Sequence, residues 1–263
     1  MLRLLPVLAV CAGTFAFAEG PVTVPPGMQV VWLGEVHDNP RHHEIQANVV
    51  ASLAPSALVF EMLSPEQAAR VTSETRADLD ALGGVLDWSA SGWPDWSLYS
   101  PIFAAAPEAA IYGAARAPGE IRRAVTEGAF EVYGEDGARF GLDQPLGEKE
   151  AAMREQGQAE AHCDALPVDL LPGMVEAQRL RDADLAAAAL EALEETGGPV
   201  AVITGTGHVR GDWGAPALLS RAAPDVEQFL LGQVEGDLPD EAPFDLVLTA
   251  PSPDRPDPCA AFR

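Results

Sequence analysis

The sequence predicts an α/β protein with a mainly parallel central sheet flanked by helices. Short apolar runs recur along the chain, each closed by Gly, Pro or an acid, as strands buried on both faces require. Helical stretches alternate with these runs, so successive strands are joined by crossovers rather than hairpins. The first unit, an apolar run at 28–33, a helix from Pro40 and a second run at 57–60, has the length of one strand–helix–strand crossover.

Residues 20–26 form a proline-containing leader, and the strand at 28–33 ends at Gly34. Asn39 is placed to cap the next helix, with Pro40 at its first position and Ile45, Val49 and Leu53 as its apolar stripe. The second strand stops at Glu61. Residues 65–86 read as helix, and 87–101 as an irregular loop carrying Trp88, Trp93, Trp96 and Tyr99. A third strand falls at 110–114, a helix at 117–129, turns at 130–147 and a helix at 148–161. The longest helix, 171–196, is stopped by Gly197-Gly198. A fourth strand at 200–204 runs into Gly205-Thr206-Gly207-His208. A helix near 215–222 and strands near 228–231 and 246–249 complete the chain. Residues 19–263 are expected to form a single domain, with helical insertions near 62–109 and 130–173.

Residues 1–18 are read as a cleaved signal peptide: Arg3 precedes an apolar stretch too short to span a bilayer comfortably, and Ala16-Phe17-Ala18 has the form of a signal-peptidase site. The expected location is periplasmic or secreted. A lipid anchor on Cys11 is the alternative, weakened by Val10 where a small residue is expected. Without the leader, Cys163 and Cys259 are the remaining cysteines, and in an exported chain an even pair reads as a disulfide.

The chain of 263 residues has 16 Lys+Arg against 40 Asp+Glu, a net charge of -24, and Lys149 is its single lysine. That balance excludes nucleic acid and anionic membrane surfaces as partners, because both demand clustered cations. A hydrophobic share of 48% excludes disorder.

In an open parallel sheet, ligands bind outside the carboxyl ends of the strands. Three such ends carry ionisable groups here: Glu35 and His37 in Gly34-Glu35-Val36-His37, then Glu61, then His208 in Gly205-Thr206-Gly207-His208. The glycines are expected to let the backbone turn sharply. Two imidazoles and a carboxylate are a donor set for zinc, manganese or cobalt, with His37, His208 and Glu61 as ligands and a water left to activate. Without a metal, one histidine is a general base partnered by Glu61 or Glu35. The plain alternative is that all four are polar caps on strand ends. His42 and His43 follow in the first helical turn; His43 reaches the same cleft, and His42 reaches it or faces solvent. Gln178, Arg181 and Asp182 share one face of the long helix, as a solvated ion pair or as support for the strand-end histidines. The tryptophan loop is either a satellite apolar cluster or the lining for a flat apolar ligand. Tyr99, His162 and Met174 are residue types able to ligate haem iron.

Taken together, Gly34-Glu35-Val36-His37-Asp38-Asn39 with His42-His43, Phe60-Glu61-Met62, Trp96-Ser97-Leu98-Tyr99-Ser100-Pro101, His162-Cys163, Gln178-Arg179-Leu180-Arg181-Asp182 and Gly205-Thr206-Gly207-His208 resemble the ChaN-type haem-binding proteins. These belong to a superfamily that includes the Tiki-type metalloproteases and erythromycin esterases. The resemblance covers about residues 28–250. It implies an α/β core with helical insertions, export, a role in haem or iron acquisition, a homodimer and a tyrosine ligand, for which Tyr99 is the candidate. It is compatible with Trp96 and His162 at the haem, and a dianionic ligand in so acidic a chain calls for cations such as Arg181 or Arg210. The Tiki-type relatives are similar in their two Gly-x-x-His elements and a Glu, which implies a divalent-metal-dependent hydrolase as the second reading. A non-catalytic periplasmic adaptor is the third.

Overall fold

The computed structural model describes residues 21–238, 243–257 and 259–260; the leader 1–18, with Cys11, lies outside them. In chain order the elements are β1 (Val30–Glu35), α1 (Pro40–Leu53), β2 (Ala57–Phe60), α2 (Pro65–Ala68), α3 (Leu79–Val85), α4 (Trp96–Ala105), β3 (Ala110–Gly113), α5 (Pro118–Glu127), α6 (Ala129–Tyr133), α7 (Glu148–Ala161), α8 (Leu171–Thr196), β4 (Val200–Gly205), α9 (Ala215–Ala222), β5 (Gln228–Glu235) and β6 (Leu246–Ala250), with short 3₁₀ turns between them.

Among the described residues, six strands form one sheet in the order β3-β2-β4-β1-β5-β6, with every neighbouring pair parallel. Alternation along the strands sends side chains to two cores. Val31, Leu33, Leu58, Phe60 and Ile203 face α1, α3 and α4. Val30, Trp32, Val59 and Val202 lie under α5, α8 and α9. Both faces are covered, which explains why the strands read as continuous apolar runs. No described helix is long and apolar enough to cross a membrane.

The strand order places the crevice. From β1 the chain moves toward β2 on one side, and from β4 it moves toward β5 on the other. The carboxyl ends of these adjacent strands therefore form a topological switch point, where the loops diverge and leave room for a ligand.

Local chemistry sets the boundaries. Asn39 Oδ1 accepts from Arg41 N, and α1 closes at Ala54 in the left-handed region. Gly197, at φ 77°, ends α8. The helix expected at 65–86 is instead broken. Thr72 and Thr75 exchange side-chain-to-backbone hydrogen bonds that close a turn, and Asp78 then caps α3 by accepting from Ala81 N. The loop expected through Pro101 is largely α4, which contains that proline. Tyr99, Ile102 and Phe103 bury one face of α4, and this tertiary packing outweighs the local penalty of Pro101. Residues expected as turns after 130 include α6 and a 3₁₀ stretch at Glu135–Phe140. Cys163 and Cys259 form the expected disulfide.

Candidate functional site at the strand ends

Glu61 sits at the centre of the crevice, 3% exposed, at the end of β2. Its Oε2 accepts from the Thr204 hydroxyl at 2.7 Å and from Gly205 N at 2.8 Å, both on β4. Its Oε1 is paired with the Arg181 guanidinium from α8 and lies 3.6 Å from His208 Nε2. Burial opposes ionisation of Glu61, but the charges of His208, Arg181 and His37 and the Gly205 N–H outweigh it and hold the carboxyl down at about 2.

Two imidazoles flank this carboxylate, each with Nδ1 tied to an acid. His208 Nδ1 donates to Asp182 Oδ1 at 2.6 Å, and Asp182 is fully buried on α8. Behind Asp182 stands Arg154 of α7, itself buried, at 3.4 Å. His37 Nδ1 donates to Glu35 Oε1 at 2.8 Å, and the same oxygen accepts from the Tyr99 hydroxyl at 2.7 Å. Burial works against charge on His37, yet the Glu35 hydrogen bond and the nearby Glu61 and Glu35 charges prevail and raise its pKa. Both arrangements fix the tautomer and leave Nε2 as the atom presented to the crevice.

The glycines serve space rather than turning. Gly205 has φ −60°, which any residue adopts. A Cβ there would lie 3.1 Å from His37 Cε1 and Nε2, so the glycine lets this ring come close to β4. A Cβ at Gly34 would lie 2.7 Å from the Thr206 hydroxyl. Close approach, not a positive φ, is what both Gly-x-x-His elements require.

The remaining predicted residues divide into two groups. Arg181 and Asp182 join the site, one on Glu61 and the other on His208. Gln178 lies beside them; its Oε1 accepts from Gln158, and its amide nitrogen lies 3.8 Å from where a Cβ would stand on Gly207. His43 is buried under the β1 end, with Nε2 donating to the His37 carbonyl at 2.8 Å. His42 is buried too, its Nδ1 accepting from Val36 N, so it does not face solvent. Trp96 is drawn into the helical layer: its Nε1 donates to Leu79 O and its ring packs on Trp88, Phe103 and Gly83. His162 caps the end of α7, with Nδ1 donating to Gln158 O. Arg210 is paired with Asp212 and lies over the Trp213 ring. Arg154 and Thr204 escaped the sequence reading. Neither carries a motif, and only the fold brings them to Asp182 and Glu61.

A cleft of about 980 Å³ opens beside Glu61 and Arg181. Met62, Trp93, Ile121 and Leu185 contribute apolar surface, Arg116, Arg122 and Arg181 contribute cations, and Glu61, Glu66, Glu120, Asp184 and Glu191 contribute carboxylates. This size and mixture suit a large ligand with an apolar body and a few polar groups.

The donor set can be tested against each implied group. For a divalent metal the fit is poor. Both oxygens of Glu61 are committed to Arg181, Thr204 and Gly205, and among the described residues no group of three or more His, Cys, Asp or Glu is arranged to hold a metal ion. For haem, Tyr99 is unsuited as an iron ligand in this conformation. It is fully buried, donates to Glu35, and burial with the Glu35 charge pushes its phenol far above the usual range. His37 fits better, since it uses Nδ1 as a donor, leaves Nε2 for a ligand and packs against the cleft-lining Trp93 ring.

Comparison with known proteins agrees with this architecture. ChaN of Campylobacter jejuni, solved for its cofacial haem binding, superposes over 84% of this chain and 87% of that chain, with a TM-score of 0.62 and 17% identity. At that identity the likeness shows the fold. The type III effector HopBA1 superposes more loosely, over 86% of this chain and 88% of that one, with a TM-score of 0.44 and 13% identity. No curated protein matches the sequence. The model of the haem-binding uptake family, ChaN, of the Tiki superfamily matches residues 26–219, well over half of the chain. The chain belongs to that haem-binding family.

Proposed function

We propose that the mature chain is an exported haem-binding protein acting in haem or iron acquisition, and that haem lies in the cleft beside Glu61 and Arg181. The observation that carries this reading is the cleft itself: it opens beside the switch crevice, is lined in part by apolar side chains and the Trp93 ring, and sets Arg116, Arg122 and Arg181 among its carboxylates. Haem, when bound, supplies an iron that takes a nitrogen or oxygen ligand. His37, oriented through Nδ1 and packed against the Trp93 ring that lines the cleft, is the residue that would hold it. Arg181 and Arg122 would meet the carboxylates of a dianionic ligand. The signal peptide expected at residues 1–18 and the Cys163–Cys259 disulfide favour an oxidising compartment outside the cytoplasm.

Titrating the mature protein with haemin tests the reading. A saturable Soret shift is expected, altered by His37→Ala. Absence of saturable binding refutes it. Light scattering with and without haemin reads whether the ligand pairs two copies of the chain. Metal analysis on the same preparation, made without chelators, addresses the hydrolase alternative. Stoichiometric zinc, manganese or cobalt that is lost in His208→Ala would replace the haem reading with that one.

A further inference from the structure

Each tryptophan in the chain can be asked what its ring does. Trp32 is fully buried between β4 and β5, and its Nε1 donates to Gln228. Trp88 is 3% exposed, and its Nε1 donates to the Pro94 carbonyl. Trp96 donates to the Leu79 carbonyl and is packed among rings. Trp213 lies under the Arg210 guanidinium at 3.8 Å. Trp93 differs from all of these. It is half-buried, it lines the cleft, and its one ring neighbour among the described residues is His37, edge-on at 4.8 Å. Its indole N–H makes no hydrogen bond to the described residues, and the ring is held by packing alone.

The backbone around Trp93 is fixed by its neighbours. Trp93 N donates to the Ser91 hydroxyl, which donates to the Trp88 carbonyl at 2.7 Å. The next residue, Pro94, receives the Trp88 indole, and Asp95 then caps α4 through Ser97 N. Trp88 thus holds the loop that presents Trp93. Apolar side chains of α5 and α8, Ile121 and Leu185, also line the cleft. A held aromatic ring costs little ordering entropy when a flat molecule stacks on it.

We propose that Trp93 is the stacking platform of the cleft, receiving the face of a planar, apolar macrocycle. This rests on the haem-binding reading and assigns the face on which the ligand lies. The platform acts on the ring system and not on the iron, so metal-free protoporphyrin is the discriminating probe.

The test titrates the mature wild type, Trp93→Phe and Trp93→Ala with metal-free protoporphyrin and with haemin, following tryptophan fluorescence and ligand absorbance. Trp93→Ala is expected to weaken protoporphyrin about tenfold, the scale of a lost aromatic stack with its apolar contact. Trp93→Phe should keep most of the affinity and lose part of the fluorescence quenching. Thermal unfolding should be nearly unchanged in the Phe variant, because the ring is half-exposed. Wild-type binding left unchanged by both substitutions, with quenching intact in Trp93→Phe, overturns this proposal alone. Failure of the wild type to bind either probe overturns it together with the haem reading.

Discussion

His208 and His37 face the same carboxylate from the two strands of the crevice, and they are held by different means. The His208 side is a buried relay: Asp182 on α8 orients the ring, and Arg154 on α7 neutralises Asp182 from behind, with Glu150 at 3.2 Å beyond it. All of its inner members belong to the packed helical layer. The His37 side starts from an equally buried Glu35, held by Tyr99. Its outer turn, however, is fastened by the C-terminal segment. Arg255 pairs with Asp38 and Glu235, Asn39 Nδ2 donates to the Pro251 carbonyl and to Glu235, and Cys259 is bonded to Cys163 at the end of α7. That segment lies beyond residues 26–219, the part matched by the family model. One imidazole is therefore fixed by the core of the fold. The other is fixed by the core at its root and by a chain terminus at its rim. His37 is also the more exposed ring, with its side chain 34% exposed against 10% for His208.

This contrast can be broken from either side. The largest effect is expected from Asp182→Ala, which strands buried Arg154 and removes the partner of His208. A loss of about 3–5 kcal/mol is expected in chemical denaturation, with His208 freed to change tautomer. A loss under 1 kcal/mol would show that the relay is not the rigid side. Next is the double replacement Cys163→Ser, Cys259→Ser, expected to cost roughly 2–5 kcal/mol of thermal stability because it frees a long loop in the unfolded chain. Nuclear magnetic resonance should then show broadening at His37 and Asp38 while His208 stays sharp. Equal broadening at both would contradict the division of supports.

The pH dependence has opposite signs on the two kinds of group. Glu61, held at about 2 from an ordinary 4.5, contributes stability that is complete above the ordinary value and is lost as pH falls through about 2. His37, raised above 6.5, contributes stability that is complete below that value and is lost as pH rises through its folded pKa. In Glu35→Gln the His37 titration should move down, read by its ring proton shifts; an unmoved titration would remove Glu35 as the cause. The smallest effect is expected from Arg255→Ala. Its ion pairs are partly solvated, so about 0–1 kcal/mol of stability is at stake, with exchange at the Asp38-Asn39 turn the more sensitive readout.

Much of this site was legible in the sequence because its chemistry lies at strand ends. An apolar run followed by an ionisable residue marks the carboxyl edge of a buried strand, and Glu35, Glu61 and His208 all carry that mark. The face shared by Gln178, Arg181 and Asp182 was legible from helical spacing alone. Its division of labour was not, since one turn of α8 sends Arg181 to Glu61 and Asp182 to His208. The tryptophan loop shows the limit more sharply. Trp93 and Trp96 lie three residues apart in one aromatic stretch, and the sequence reading put Trp96, not Trp93, at the haem. Gly83 leaves room for Trp96 in the helical layer, while the Ser91 and Pro94 contacts present Trp93 to the cleft.

By itself, the sequence determined the alternation of buried strands and helices, the capping of α1 and α8, and the strongly acidic balance of the chain. Those features depend on local propensity, periodicity and total charge, which are properties of the chain in any conformation. The tertiary structure decided the strand order, and with it which distant groups meet: Arg181 and Glu61 are 120 residues apart, and Thr204 and Glu61 are 143 apart. It also decided that a phenol suited to iron is instead buried on Glu35. Such pairings depend on which strands lie side by side and on what must be satisfied once water is excluded, and neither is written in the spacing of residues along the chain.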